Sequence, residues 1–460
     1  MSKAILLALL SDLLTPILIW KTGLPAEVRW LSSGVLAAVL LDGYARMLQQ
    51  RRFPAGLWII VALSVVGIPQ ALLNGQSLVA TMWGWWLMFR YPFVGLYAYL
   101  QPRWPEQFPS RLLKWGILLL CFEVAVQLAQ YATGEPPGDN LAGSLGIHGT
   151  GNLVLVVLLV FALVLGQWIA RGGLARVALV LALGATSSVL GEMKVFFFAA
   201  GFMAVMSLAI HLWQKRQLVK LLPYAFLLAA VLAAFPPIYN SVVPGAEAIP
   251  FSEYFDPAVL ARYMNGTALD SSGNYDVGRL YAVTYAWDQI SGNPISLAFG
   301  DGLGARGESQ TLGSAGVALL TGDLGLFTGS SLVVMMGELG MFGLLSLSGF
   351  FLWVARMLWK GATSGAASDA AGIQYGALIY TLLWPLWLWY DTSWSSSVAM
   401  LLYWSTLGYC LARLRRGEPG KSAARPFSTY GWHAGSPIPV CQDQAAEQPV
   451  SGYPAIGSRN

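Results

Sequence analysis

Stretches of about twenty apolar residues recur along almost the whole chain, and that length is what a helix needs to cross the ~30 Å hydrocarbon core of a bilayer. The runs fall near residues 4–20, 30–48, 54–73, 78–100, 112–131, 152–170, 174–190, 195–213, 221–240, 326–355, 372–390 and 396–414. Apolar side chains make up 56% and charged ones only 11%, against ~25% charged in an ordinary soluble domain. A soluble globule could not cover so much apolar surface with so few charges. Disorder, collagen and a disulfide scaffold are excluded by the same oily composition. The expected fold is all-α: a polytopic membrane domain of about 12 transmembrane helices over residues 1–414. The first run is short and carries Asp12, but no small-residue cleavage site follows, so it reads as a retained helix and not a signal peptide.

Lys and Arg concentrate in cytoplasmic loops, which tests the alternation. Alternate connections hold Arg46/Arg51/Arg52, Arg103/Arg111/Lys114, Arg171/Arg176, Lys215/Arg216/Lys220, Arg356/Lys360 and Arg413/Arg415/Arg416. The intervening ones are poor in basic residues until the long ninth one, apart from Lys21, Arg29 and Lys194. Both termini are therefore expected in the cytoplasm. The net charge of +4 belongs to this topology signal and does not point to nucleic acid. Aromatics cluster at span ends, as in Trp83/Trp85/Trp86 and Trp384/Trp387/Trp389/Tyr390, as an interfacial belt requires. Those near the outer face are also able to stack on sugar rings.

Two segments are not membrane. Residues 415–460, rich in Gly, Pro, Ser and Gln, read as a disordered cytoplasmic tail. Residues 241–325 form one long loop on the outer side, too long to be a passive connection. Within it Asp256-Pro257 caps a helix running to Asn265-Gly266. A second helix is expected from about Asp276 to Gly292, with Leu280, Val283, Trp287 and Ile290 as an apolar stripe suited to the membrane surface. Arg279 in its first turn opposes the helix dipole, so it calls for a partner. The stretch Gly300-Asp301-Gly302-Leu303-Gly304-Ala305-Arg306-Gly307 matches G-x-G-x-x-G in letters, but no strand or βαβ unit surrounds it, which excludes a dinucleotide site. It reads as a phosphate cradle of Gly302, Gly304 and Arg306, or as a flexible re-entry turn.

Ionisable groups inside a bilayer cost several kcal/mol unless paired or hydrated. Arg90, in the middle of a run, is expected either to pair with Glu123 or Asp42 or to line an anion-binding cavity. Glu192 and Lys194 occupy the short outer hinge between spans seven and eight: either a local ion pair at a snorkelling helix end, or a cation turned into a shared cavity toward phosphate. Glu338, among small residues that favour close helix packing, is a packing ion pair, a general base, or an orienting group for Arg279 or Lys194. No Asp-x-Asp pair, metal-ligand cluster, G-x-S-x-G elbow or Walker motif is present, so neither metal nor nucleotide cofactor is expected. Cys121, Cys410 and Cys441 are too few and scattered for a framework.

The pattern resembles the O-antigen polymerase and O-antigen ligase family of bacterial envelope proteins over about residues 110–412. The resemblance rests on Gly146-Ile147-His148-Gly149-Thr150-Gly151-Asn152 opening span six, and on the charged hinge after span seven. It also rests on Val277-Gly278-Arg279, Asn293-Pro294 and Gly300-Asp301-Gly302-Leu303-Gly304 in the outer loop, and on Glu338-Leu339-Gly340 beyond it. The family usually has Arg in the hinge where this chain has Lys194. Ligases usually carry a His before the Glu-x-Gly segment, where this chain has Gly329-Ser330-Ser331. The polymerase of a capsule, O-antigen or exopolysaccharide is thus the better match.

The resemblance implies a metal-independent glycosyltransferase of the all-helical membrane (GT-C) type in the bacterial inner membrane, with its cavity open to the periplasm. The implied partners are a polyprenyl-diphosphate-linked glycan, membrane lipids and a chain-length regulator. Lys194, Arg279 and Glu338 would be catalytic, and Arg306, Arg90, Gly302, Gly304, Asn152 and Glu192 would bind substrate. The rival readings are a transporter or flippase, which predicts broken helices meeting at mid-membrane and a repeated half, and a non-catalytic assembly subunit.

Overall fold

The structure, a computed structural model, describes residues 3–22, 28–49, 54–101, 103–146, 149–217, 219, 256–269, 275–309, 314–316, 330–364, 368–390, 392–395 and 397–417. The ninth apolar run (221–240), His148 and the tail from residue 418 lie outside the described residues. Helices occupy the other runs: α1 (Lys3–Thr22), α2 (Arg29–Leu48), α3 (Ala55–Leu73), α4 (Leu78–Leu100), α5 (Phe108–Ala132), α6 (Thr150–Arg171), α7 (Leu174–Leu190) and α8 (Val195–Gln214). The long loop carries α9 (Pro257–Asn265), α10 (Arg279–Ser291) and α11 (Pro294–Phe299). Beyond it come α12 (Ser331–Ser364), α13 (Asp369–Leu382), α14 (Trp384–Tyr390) and α15 (Ser397–Gly417). The last helix takes in residues 415–417, which the sequence reading gave to the tail. Among the described residues, six helices are long and apolar enough to cross a membrane: Trp30–Leu48, Gly56–Leu73, Phe108–Ala132, Thr150–Arg171, Val195–Gln214 and Ser331–Thr363. The chain is thus a helical, membrane-embedded protein. Its only extended pieces, among the described residues, are two small antiparallel pairs: β1 (Thr267–Leu269) with β2 (Tyr275–Val277), and β3 (Glu308–Ser309) with β4 (Ser314–Ala315).

Helix α6 is the axis of the bundle, with Leu153 to Leu165 buried without interruption. It can be sheathed so closely because α13 meets it through glycine: a Cβ at Gly166 would strike the backbone of Gly372 and Gly376. Small residues at such a crossing let dispersion contacts replace a hydrophobic drive that lipid does not supply. The α4–α15 crossing uses Gly95 and Gly408 in the same way.

Two helices are interrupted, and in both the freed backbone groups find partners. Pro92 inside α4 has no N–H for the carbonyl of Met88, one turn earlier. The Trp394 indole N–H donates to that carbonyl at 2.5 Å instead, docking the α14–α15 connection midway along α4. Helix α12 breaks at Gly340, whose φ is 63°. The carbonyls stranded there, on Gly337 and Glu338, accept the N–H groups of Asp301 (2.7 Å) and Gly302 (3.2 Å) from the glycine-rich loop.

A third intrusion sits between α5 and α6. Glu123, Gln127 and Gln130 recur one and two turns apart on one buried face of α5 and clamp the loop that follows. Gln127 donates to Leu141 O, Gln130 bonds both backbone groups of Gly143, and Glu123 accepts from Ser144 N (2.7 Å) and Ser144 Oγ (2.5 Å). Glu123 lies nine residues before the end of α5, so the loop enters the bundle to a depth of about 13 Å.

In the outer loop, Asp256 caps α9 by accepting from Ala258 N. Helix α10 starts at Arg279, three residues later than the sequence suggests, because Tyr275–Val277 is taken up in the β1–β2 pair. Its buried face is Ala282, Ala286 and Ile290 against Val333 and Met336 of α12. Leu280 and Trp287 of the expected membrane stripe remain exposed.

Candidate functional site

The candidate side chains gather in three groups: around the α14–α15 connection, in the glycine-rich part of the long loop, and at the α7–α8 hinge.

The first group surrounds the α14–α15 connection, anchored by Trp394 and by Ser331 Oγ, which accepts from Trp394 N at 2.9 Å. Arg279 Nε donates to Tyr390 O (2.8 Å), and its guanidinium lies 4.4 Å from the Tyr390 ring centroid. Those contacts offset the helix-dipole penalty of a cation in the first turn of α10, by roughly 0.5–2 kcal/mol for the ring alone. Arg90 Nη2 donates to Ser395 O (3.1 Å), and its guanidinium lies 4.7 Å from the Tyr91 ring centroid. Two arginines from distant parts of the chain thus hold opposite ends of one short connection. Neither expected carboxylate partner of Arg90 is its neighbour: Glu123 is bound by Ser144, and Asp42 pairs with Arg46 at 2.9 Å. The charge facing Arg90 is Asp12 of α1, 7% exposed and hydrogen-bonded to Ser32. Among the described residues, Asp12 Oδ2 and Arg90 Nε have no hydrogen-bond partner.

The second group is the glycine-rich loop, which is neither a flexible turn nor an open cradle. Leu303, Ala305 and Arg306 are buried. Gly302 (φ 92°) and Gly304 (φ 82°) lie in the left-handed region, against the backbones of Ala71 in α3 and Ala80 in α4. A side chain at either position would be strained and blocked at once. Every backbone N–H from Gly300 to Gly307 is occupied. Gly300, Asp301, Gly302, Leu303, Ala305 and Gly307 donate to Ser296 O, Gly337 O, Glu338 O, Gly67 O, Gly302 O and Gly304 O. The N–H groups of Gly304 and Arg306 go to the Glu338 carboxylate. The anion in this nest is the protein's own glutamate, so Gly302 and Gly304 offer no N–H to a phosphate here. Arg306 lies over Gly337, where a Cβ would collide with it, and its Nη2 donates to Gln289 (2.8 Å). Burial pulls this guanidinium below its ordinary value, against the nearby Asp301 and Glu338.

The third group is the α7–α8 hinge, residues 191–194. Glu192 has a left-handed backbone (φ 52°), unusual without glycine, and its carbonyl accepts Lys194 N at 2.8 Å. Glu192 and Lys194 are both half-buried. Burial raises the Glu192 carboxyl above the usual carboxylate range, Lys194 opposing and Asp139 adding to it; burial lowers the Lys194 ammonium, Glu192 opposing. Asp139 accepts from Thr150 Oγ1 (2.5 Å) at the start of α6, where Asn152 lies half-buried in the first turn.

Asp139 and Asp12 escape sequence reasoning as site residues. Asp139 stands in a Pro-Pro-Gly-Asp turn without periodicity, although Asp12 carried the signal of a carboxylate inside an apolar run. Among the described residues no three His, Cys, Asp or Glu side chains gather as a metal site. No family model matches the chain, and no curated protein matches it.

Proposed function

We propose that the chain is a polysaccharide polymerase of the all-helical GT-C type, with about 12 spans. It joins polyprenyl-diphosphate-linked glycan repeat units at the periplasmic face of the bacterial inner membrane, with both termini in the cytoplasm. Transfer to another acceptor, as by an O-antigen ligase, is the nearest alternative. The observation that carries the reading is the placement of Arg279 and Arg90 on the single connection between α14 and α15.

In the proposed reaction a sugar hydroxyl attacks the anomeric carbon of the donor, and the bond to the carrier diphosphate breaks. Negative charge grows on the leaving group, so the main requirement is preorganised cations. Arg279, Lys194 and Arg90 fill that role. Arg306 donates to Gln289 of α10, and Glu338 is a positioning residue rather than a base: its carboxylate holds the two N–H groups that seat Gly304 and Arg306. Gly302 and Gly304 serve the same seating, and Asn152 borders the hinge.

A second reading, a carrier of lipid-linked glycan, draws support from the break of α12 at Gly340, since transporters build sites at interrupted helices. One experiment separates the two. Full-length protein in nanodiscs is given carrier-linked repeat units: a glycan ladder is expected. Translocation across vesicles without any bond formation would replace the polymerase with the transporter.

A further inference from the structure

We propose that Glu192 is the group that takes the proton of the attacking sugar hydroxyl, which makes the α7–α8 hinge the acceptor side of the site; this inference rests on the polymerase reading. The hinge has the composition of a hydroxyl-binding site. Glu192 feels both the ammonium of Lys194 and the carboxylate of Asp139, and Asp139 accepts from Thr150 Oγ1. The Glu192 carboxylate can accept a sugar O–H, and the neighbouring ammonium favours its anionic form.

Beneath the hinge the polar groups are not fully committed. Gln127 Oε1, Ser187 Oγ and Ser188 Oγ are buried and, among the described residues, have no hydrogen-bond partner. Gln127, Ser187 and Ser188 are each 1% exposed or less, and a Cβ on Gly191, the neighbour of Glu192, would sit 3.4 Å from the Gln127 amide nitrogen. Buried polar groups without partners are costly and rare, and here they lie under the charged residues that a sugar would meet. The backbone points the same way: Glu192 keeps a left-handed conformation that glycine would adopt without strain. Backbone strain of this kind clusters at functional sites.

The step balances. The acceptor oxygen forms the new bond to the anomeric carbon as the carbon–oxygen bond to the diphosphate breaks. The bonding pair leaves with the diphosphate beside Lys194 and Arg279, and the hydroxyl proton passes to Glu192, to be released to water. A base beside the cation that faces the leaving group is suitably placed, because both oxygens flank the same carbon. A carboxyl raised above its usual range is a better base near neutrality than an ordinary one.

The test uses full-length protein in nanodiscs and carrier-linked repeat units, following ladder formation against pH. E192Q should lower kcat by about 10²–10⁴-fold with little change in KM for the donor, and should abolish the acidic limb of the pH profile. E192G, which relieves the backbone, should remain folded and lose activity equally. Lys194 and Asp139 are the charged groups facing Glu192, and removing the second should let its carboxyl fall. D139N should therefore move the acidic limb of the activity it keeps, whatever its size, to lower pH. Wild-type turnover and an unchanged limb in E192Q or E192G would overturn the assignment of Glu192 alone. A wild-type protein that joins no repeat units would instead remove the polymerase reading, and this inference with it.

Discussion

The glycine-rich loop and the α7–α8 hinge both bring opposite charges together, yet they treat them in opposite ways. In the loop, backbone donors from Gly300 to Gly307 are all bonded and Glu338 fills the nest that two of them form. That leaves Arg306 Nε as a buried side-chain atom there without a partner among the described residues. In the hinge, Glu192 and Lys194 stay half-buried on a strained turn, over polar groups without partners. Buried polar networks that are satisfied rigidify a fold, whereas unsatisfied ones are expensive unless something else uses them. The loop is therefore scaffold and the hinge is the working part, although the loop's glycine motif is the louder of the two in the sequence.

The largest effect expected from this contrast falls on the loop. E338A removes the acceptor of two buried N–H groups and a compensating charge for Arg306, which should cost about 3–5 kcal/mol. Thermal unfolding in detergent and the level of protein in the membrane should both fall sharply. If E338A unfolds like the wild type and only turnover drops, the loop is working machinery and the contrast breaks.

Next comes the hinge cation. K194A and R279A should each lower ladder formation by roughly two to three decades, as losing one preorganised contact to a transition-state charge does. Unfolding should move little, since both side chains are partly exposed. Undiminished polymer length at normal protein level would remove that residue from the mechanism.

The connection that seats Arg90 and Arg279 yields a smaller effect. W394F strands the Met88 carbonyl that Pro92 leaves free, at a cost of about 1–3 kcal/mol. P92A restores a backbone N–H to that carbonyl, so W394F should cost less in the P92A background than alone. Equal costs in the two backgrounds would mean that the indole does not substitute for the missing N–H.

How much of this was legible in the sequence follows from the range of each interaction. The helices among the described residues were, because apolar length is local, and so was the Asp256 cap on α9. What the glycines of the 300–307 stretch face was not: Gly67, Ala71 and Ala80 lie far upstream, and only the threading of the chain brings α3 and α4 against them. The motif showed that the backbone needed left-handed freedom but not that the anion would be Glu338. Arg90 announced itself as a charge in an apolar run. Helix periodicity says which face carries it, but not that α1 with Asp12 packs there in place of α5 with Glu123. Helix α10 illustrates the converse failure: its apolar stripe was visible, but α12 covers Ala282, Ala286 and Ile290, and small residues do not stand out in a hydrophobic pattern.

The smallest effect sharpens the comparison through pH. Glu192 binds its proton more tightly folded than unfolded, chiefly because burial disfavours its charge. Between the unfolded carboxylate value, about 4.3, and the raised folded one, the folded chain holds more protons, so its stability declines as pH rises through that window. Lys194 has the opposite sign. Its ammonium is lowered by burial, so between its folded value and the unfolded one near 10.4 the unfolded chain holds more protons, and stability climbs with pH. Both groups are partly open to solvent, which screens the effect, so the readout is the direction of two slopes in two separate windows. Unfolding of the wild type against pH should show the acidic decline, and E192Q should make it shallower while leaving the alkaline rise in place. An undiminished acidic slope in E192Q would mean that other carboxyls carry all of it and that the hinge holds its charge as tightly as the loop does.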